Sequence, residues 1–418
     1  MDEERGPALY PNREGGTRAG LSRRRLLTGS AAAGAAATAG CLGGGPAEQP
    51  EGDAVFVFNT GDGTVSVLGT ATDEVVTTRS VGLSSSFPAN QYAPGLTTAP
   101  EDSLWLNVDM GVRAVAVGSL STVASVDTGS GFNWQELTPD GAHLVVSARE
   151  PAHRQVRIDA DRGSETFGQV TAELDRTAEG GRGGRDGPGP CDISVHPDGE
   201  FAYVPDLFGD TLTVLRVDPF EIATQVEVEP VTANPAAPWM GTVAPDGRTL
   251  LVEHNEGPGT ESLWDLSDPS APELRARLTV DDGLGRGALT SEIGPDSATG
   301  YVFTPDSEDV SVLDLQEGTV VDRIDLGGAA FTGTWDPARE KLYVPVQTTD
   351  EVAVVDHAAG KVTATVPVGD APYGATAARV RPDPQAGAAL WAAAAALGLD
   401  GERGTTYCIG NCACGHDP

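Results

Sequence analysis

The sequence predicts an all-β chain, a seven-bladed β-propeller with N- and C-terminal strands closing the first blade, plus a short C-terminal helix and a Cys-rich tail. Three observations predict it. A Pro-Asp-Gly-like turn recurs at Pro100-Glu101-Asp102, Pro139-Asp140-Gly141, Pro197-Asp198-Gly199, Pro245-Asp246-Gly247, Pro295-Asp296-Ser297, Asp336-Pro337 and Pro382-Asp383. The successive Pro-Asp turns lie from about 39 to 58 residues apart, centred on the repeat length of propeller blades. After six of the seven turns comes a short β-rich strand, and after the seventh there is none. The first strand set, Ala54-Val55-Phe56-Val57-Phe58, conversely has no turn before it.

Each unit then reads in the same order. Proline presets φ for the turn, and Asp and Gly complete it. The strand that follows is Leu104-Trp105-Leu106, Leu144-Val145-Val146, Ala202-Tyr203-Val204, Leu250-Leu251-Val252, Tyr301-Val302-Phe303 or Leu342-Tyr343-Val344. A second strand alternates with period two, as in Thr211 to Leu215, Val310 to Asp314 and Val352 to Asp356. A third closes the unit, for instance Thr319 to Ile324 or Lys361 to Val366. The strand at Tyr373 to Arg381 supplies what the first blade lacks, so the two ends of the ring should pair there and remove the open sheet edges.

Domain organisation follows from composition. Residues 1–40 read as an export signal: Ser22-Arg23-Arg24-Arg25-Leu26-Leu27 precedes an Ala/Gly-rich apolar run of about a dozen residues, too short to span a bilayer. The pattern looks like a twin-arginine signal. Thr38-Ala39-Gly40-Cys41 resembles a lipobox, departing from it at Thr38, and makes Cys41 the candidate lipidated residue. Cleavage without lipid is the alternative. Residues 41–52 form a flexible spacer, 53–384 the propeller, 385–400 an Ala-rich helix and 401–418 the tail. The expectation is an exported chain, lipid-anchored to the outer face of the cell membrane, a monomer whose only membrane contact is the lipid.

Charge restricts the partners. With 61 acidic against 27 basic residues the net charge is -34, which excludes nucleic acid and anionic lipid surfaces as charge-driven partners. Lys341 and Lys361 are the only lysines. An acidic, lysine-poor, Arg/Ala/Gly-rich chain resembles proteins of extreme halophiles, whose carboxylates repel one another unless salt screens them. Low salt should destabilise this fold.

The repeats resemble the YVTN-repeat family of seven-bladed β-propellers, here as a haloarchaeal exported lipoprotein. The residues that carry this are Tyr203-Val204-Pro205-Asp206, Lys341-Leu342-Tyr343-Val344-Pro345, Glu351-Val352-Ala353-Val354-Val355-Asp356 and Val368-Gly369-Asp370-Ala371-Pro372-Tyr373-Gly374. The resemblance implies the fold and leaves function open, because propellers host binders and enzymes alike.

Strand order places the candidate site. If each innermost strand runs from a mouth to its Pro-Asp turn, the segments entering those strands share the mouth with the loops after the next strands. The segments entering bring Gly95, Trp134, Asp192, Trp239, Phe331 and Tyr373 to the mouth, and the returning loops bring Glu253 and His254. Trp134, Trp239, Phe331 and Tyr373 would form an aromatic rim with Asp192, Glu253 and His254 as polar anchors for a small ligand or an extracellular protein. Inter-blade packing of the aromatics is the competing reading. The stretch Thr177 to Pro190 reads as a lid or, on its composition, a disordered insertion. His143 and His196 read as exposed turn histidines.

No His-Glu-x-x-His, Gly-x-Ser-x-Gly or Cys-x-x-Cys-His arrangement occurs, so no catalytic residue is assigned and the chain is expected not to be an enzyme. The tail is chemically unusual. Cys408, Cys412, Cys414 and His416 match the donor set of tetrahedral zinc and also suit copper(I); disulfides, with Cys191 as the fourth thiol, are the alternative. The leading expectation is a lipid-anchored binding protein, metal-handling through this tail and resembling propeller-type metallochaperones. The alternative is a secreted oxidoreductase or lactonase with its site at the channel mouth, which would need a quinone, a metal or a carboxylate cluster there.

Overall fold

In the computed structural model, residues 51–80, 94–108 and 110–382 are described. Among them the chain forms seven antiparallel sheets, six of four strands and one of three. Blade 1 is the composite one. Its innermost strand Pro372–Val380 pairs with Glu51–Asn59, followed outward by Thr64–Gly69 and Glu74–Ser80. The register, Phe56 opposite Thr376 and Phe58 opposite Gly374, joins the two ends of the described chain as the sequence predicts.

Blades 3 to 7 each run from innermost to outermost strand in chain order. Blade 2 departs from expectation, having three strands (Ser103–Val108, Gly111–Ala116 and Thr122–Asp127) among the described residues. Where its innermost strand should run, Pro94–Leu96 forms a single 3-10 turn, and the carbonyl of Thr97 accepts the Arg379 N–H from blade 1 at 2.9 Å. The helix expected at 385–400 lies outside the described residues.

Packing between sheets explains why the strands are buried on both faces. Seven hydrophobic clusters of described residues each join two consecutive blades. In blade 1, Phe56 and Phe58 pack toward Leu104 and Leu106 of blade 2, whereas Val55 and Val57 pack toward Tyr343 and Val354 of blade 7. Adjacent residues in a strand face opposite ways, so each sheet contributes half of two cores. Polar links tie the inner strands in the same order. Asn107 donates to the Asn133 carbonyl, Ser147 to Asp192, Ser194 to Gly241, Thr242 to Ser291 and Thr290 to Phe331, and Arg379 donates to the Pro337 carbonyl across the closure. Outside these, Lys341 of blade 7 pairs with Asp73 of blade 1 at 2.8 Å.

The stretch Thr177 to Pro190 is ordered, contrary to the expectation of a disordered insertion. It opens with buried Arg176, whose Nη1 and Nη2 donate to the Oδ1 and Oδ2 of buried Asp206 at 2.6 and 2.9 Å. The same guanidinium donates to Glu179 and to Thr213. Further along, Arg182 pairs with Asp210, Gly189 N–H donates to His153 Nδ1, and Pro190 bridges to Asp206. Apart from Glu179 within the stretch itself, these partners belong to the loop after the second strand of blade 3 or to blade 4, so side-chain pairing holds a stretch whose composition alone reads as loose. His196 also differs from expectation. It is buried, with Nε2 2.9 Å from the Gly247 carbonyl and its ring edge against Tyr203, and it links the turns of blades 4 and 5.

Two tests follow from the packing. A chain ending at Asp370 should lose its cooperative melting transition, whereas one ending at Pro382 should keep it; equal melting of both would refute closure through Pro372–Val380. Arg176→Ala strands the buried Asp206 carboxylate and should cost roughly 3 to 5 kcal/mol in denaturant unfolding, while a loss below about 1 kcal/mol, the range of an exposed pair, would show that the network carries little.

Candidate functional site

The inner strands determine what reaches the central channel. In blade 4 the strand Ser194–Val195 is preceded by Asp192, whose side chain is part-buried. Its Oδ2 accepts the Gly241 N–H of blade 5 at 2.9 Å, and its Oδ1 accepts the Ile193 N–H at 2.7 Å. Each oxygen keeps a second lone pair. Burial pushes this carboxyl up to about 7, against the two N–H bonds that favour its charged form. Asp192 is therefore fixed by its backbone donors in orientation and poised to gain or lose a proton near neutrality.

Other acidic groups surround it. Glu136, on the inner strand Asn133–Leu137 of blade 3, accepts the Val195 N–H at 2.6 Å; burial raises its carboxyl well above the ordinary range, and the Asp192 charge adds to this. Glu253 and Glu261 are fully buried direct cross-strand partners in blade 5. Burial raises both, Glu253 is held down in part by Ser291, and each carboxylate resists the charge of its neighbour. Asp192 lies near enough to Glu253 to raise it as well. Both groups are thereby biased toward their protonated forms.

The residues expected at the mouth separate in the structure. Trp134, Trp239, Phe331 and Tyr373 are all buried, and Phe331 stacks on Tyr373 with centroids 5.1 Å apart and planes at 26°. Trp134 lies 5.7 Å from the buried Arg149 guanidinium, which also covers Phe132 at 4.6 Å and contacts the Cys191 Sγ at 3.5 Å. These aromatics are packed within the ring and do not form an exposed rim. His254 and Glu253, adjacent in one strand, face opposite ways. His254 shares its blade face with Thr260 and Ser262, its Nε2 2.7 Å from the Ser262 hydroxyl, and burial lowers its pKa so that it stays neutral. Glu253 is turned toward Ser291 of blade 6. Asp192 and Glu253 are thus brought together, and His254 is not part of their cluster.

Sequence reasoning missed Glu136 and Glu261. The available signal was alternation: Glu136 interrupts Trp134-Gln135-Glu136-Leu137 and Glu261 begins Glu261-Ser262-Leu263-Trp264, both in runs otherwise suited to burial. Among the described residues no group of three or more His, Cys, Asp or Glu side chains is placed to hold a metal ion, and no helix is long and apolar enough to cross a membrane. Cys408, Cys412, Cys414, His416 and Cys41 lie outside the described residues.

The ring is similar to several solved structures. A protein from Lactobacillus plantarum superposes with a TM-score of 0.63 at 15% identity, covering 78% of this chain and 99% of its own. A periplasmic gluconolactonase from Pseudomonas aeruginosa gives 0.60 at 17%, with 78% and 99% covered. A Bacteroides uniformis protein proposed to be a 6-phosphogluconolactonase gives 0.59 at 14%, with 79% and 100% covered. No family model and no curated protein matches the chain. At these identities the likeness establishes the fold. The expectation that the chain is not an enzyme is corrected by this finding. Structures described as lactonases share nearly the whole ring, so a propeller without a nucleophile or metal motif gives no ground for excluding catalysis.

The buried carboxyls make stability depend on pH in a definite direction. A carboxyl raised in the folded state stabilises most below its ordinary value, and that stability is lost as pH climbs through the raised one. For Asp192 the window runs from 3.8 to about 7, and Glu136, Glu253 and Glu261 act with the same sign. Carboxyls lowered by turn hydrogen bonds, such as Asp140 and Asp265, act with the opposite sign below their ordinary value. His254 and His153, lowered in the folded state, act with the opposite sign up to 6.5. At constant salt the melting temperature of wild type relative to the Glu253→Gln, Glu261→Gln double variant should therefore fall between pH 5 and pH 8, and a difference that rises over this interval would contradict the assignment.

Proposed function

We propose that the chain is a lactone hydrolase whose general base is Asp192. The observation that carries this reading is the carboxyl of part-buried Asp192 at the inner strand of blade 4, oriented by the Gly241 and Ile193 N–H groups and pushed up to about 7 by burial. Its support among known folds is the similarity to structures described as a gluconolactonase and as a proposed 6-phosphogluconolactonase. The buried carboxyls near Asp192 support the lactonase alternative, which calls for a carboxylate cluster.

Lactone opening needs a proton removed from water and returned to an alkoxide. Asp192 takes a proton from a water as its oxygen attacks the ring carbonyl carbon. The carbonyl then re-forms, the ring C–O bond breaks, and the leaving oxygen receives that proton from Asp192. Asp192 begins and ends the cycle as the carboxylate, and the hydroxy acid product then loses its own proton to solvent. A base with a pKa near the working pH is the most effective kind. Glu253, fully buried, acts through Asp192 by keeping nearby negative charge low when protonated; it is a positioning residue and touches no substrate. A net charge of -34 disfavours phosphorylated substrates, so a neutral sugar lactone is the substrate class.

The aromatics Trp134, Trp239, Phe331 and Tyr373 support the walls behind this site in the same reading. Export by the twin-arginine route, anchoring through Cys41, membership of the YVTN-repeat group as a haloarchaeal lipoprotein, and zinc or copper(I) binding by Cys408, Cys412, Cys414 and His416 belong with it as proposals. They rest on sequence patterns alone.

The test is hydrolysis of glucono-δ-lactone in a pH-stat, with buffer hydrolysis subtracted. Wild type should show kcat/KM rising through about pH 7, and Asp192→Asn should lower kcat by roughly 10² to 10⁴ with KM little changed. Wild type no faster than buffer, or Asp192→Asn as fast as wild type, would refute the proposal.

A further inference from the structure

The channel has a second end with its own chemistry. Where the inner strands reach their Pro-Asp turns lies a cavity of about 190 Å³, room for about six waters at liquid density. Its walls are the turn prolines Pro139, Pro197 and Pro245 with Val195 and Val243, and its two charged residues are Glu136 and Arg339. Asp192 does not line it, so it is separate from the site proposed for lactone opening.

Arg339 is out of pattern. In five blades one turn position makes the same hydrogen bond three residues back: Gly141 to Thr138, Gly199 to His196, Gly247 to Ala244, Ser297 to Gly294 and Arg339 to Asp336. The backbone there is left-handed in every case, with φ of 72°, 76°, 72°, 56° and 59°. Glycine takes this conformation without penalty and a long side chain does not. Blades 3, 4 and 5 use glycine, blade 6 a serine, and blade 7 alone of these five places a charged side chain, Arg339, there. Its guanidinium is held in place, with Nη2 donating to the Ile293 carbonyl of blade 6 at 3.1 Å and the group lying 5.8 Å over Trp335. A guanidinium braced in this way carries a fixed positive charge that suits a carboxylate.

We propose that the turn end of the channel is a second ligand site, which takes a small carboxylate with an apolar body, its carboxylate on Arg339 and its body against the turn prolines. Glu136 does not oppose an anion there. Burial favours its protonated form, and one oxygen is already engaged by the Val195 N–H. The apolar walls select against a polyhydroxylated body, and the volume limits the ligand to a handful of heavy atoms. This inference does not depend on lactone hydrolysis.

Isothermal titration of the full chain at constant ionic strength, with butyrate and its uncharged isostere butyramide, tests it. Butyrate should bind in the millimolar range, with butyramide weaker by about tenfold or more. Arg339→Gln should reduce butyrate to the level of butyramide, and Val243→Phe, which fills the cavity from blade 5, should remove both, with melting curves showing the ring intact. No butyrate binding by wild type, equal binding of butyrate and butyramide, or unchanged butyrate binding by Arg339→Gln would each overturn the proposal.

Discussion

No blade of this ring has a core of its own, and the rest of the structure depends on that constraint. Each sheet buries one face against the blade before it and the other against the blade after it. An open series of such sheets would leave two large apolar faces in water, and the hydrophobic term scales with that area. Closure through Pro372–Val380 and Glu51–Asn59 removes both faces at once. The same ring, closed again by Lys341 on Asp73, holds together residues some 270 positions apart.

Closure also determines where polar groups can be tolerated. Side chains of the inner strands point toward one or the other neighbouring blade, and the hydroxyls of Ser194, Thr242 and Thr290 there bond the next blade's carbonyl. Glu136, Asp192, Glu253 and Glu261 occupy the same inner region without compensating cations for most of them. A buried carboxylate without a cation favours its protonated form. The ring thereby shifts carboxyls that would be plain charges on the surface toward their protonated forms, Asp192 up to about 7 and Glu253 up to about 8. Asp206, fully buried and also raised by burial, differs in being paired bidentately with Arg176, whose guanidinium offsets part of that rise, and its role is structural.

Much of the fold was legible because its signals are local. A Pro-Asp turn announces itself, and Tyr343-Val344 or Val354-Val355 alternate within a few residues of it. The composite first blade could be inferred from a missing turn at one end and a missing strand at the other. The candidate site was legible only in part, since its defining property is proximity across strands. Asp192 and Glu253 were found from their places at the mouth ends of strands. Glu261 was not, because its pairing with Glu253 depends on a register between two strands, and among 61 acidic residues no single carboxylate stands out. The order of Thr177 to Pro190 was hidden for a similar reason: Gly and Arg content suggests looseness, while Arg176 and Arg182 find buried or part-buried partners only once blade 4 is folded beside them. His196 misled because turn residues are usually exposed, and here the next blade's turn covers it.

The central claim is that the ring holds one channel carboxyl, Asp192, at a pKa suited to proton transfer at neutral pH. Carbon-detected NMR of protein labelled at the Asp side-chain carboxyl, titrated from pH 4 to pH 9 in wild type and in Asp192→Asn, measures this directly. The account predicts one resonance with a midpoint near 7 that disappears in the variant. Asp resonances that all titrate within the ordinary carboxylate range, with none lost near neutrality in Asp192→Asn, would contradict it.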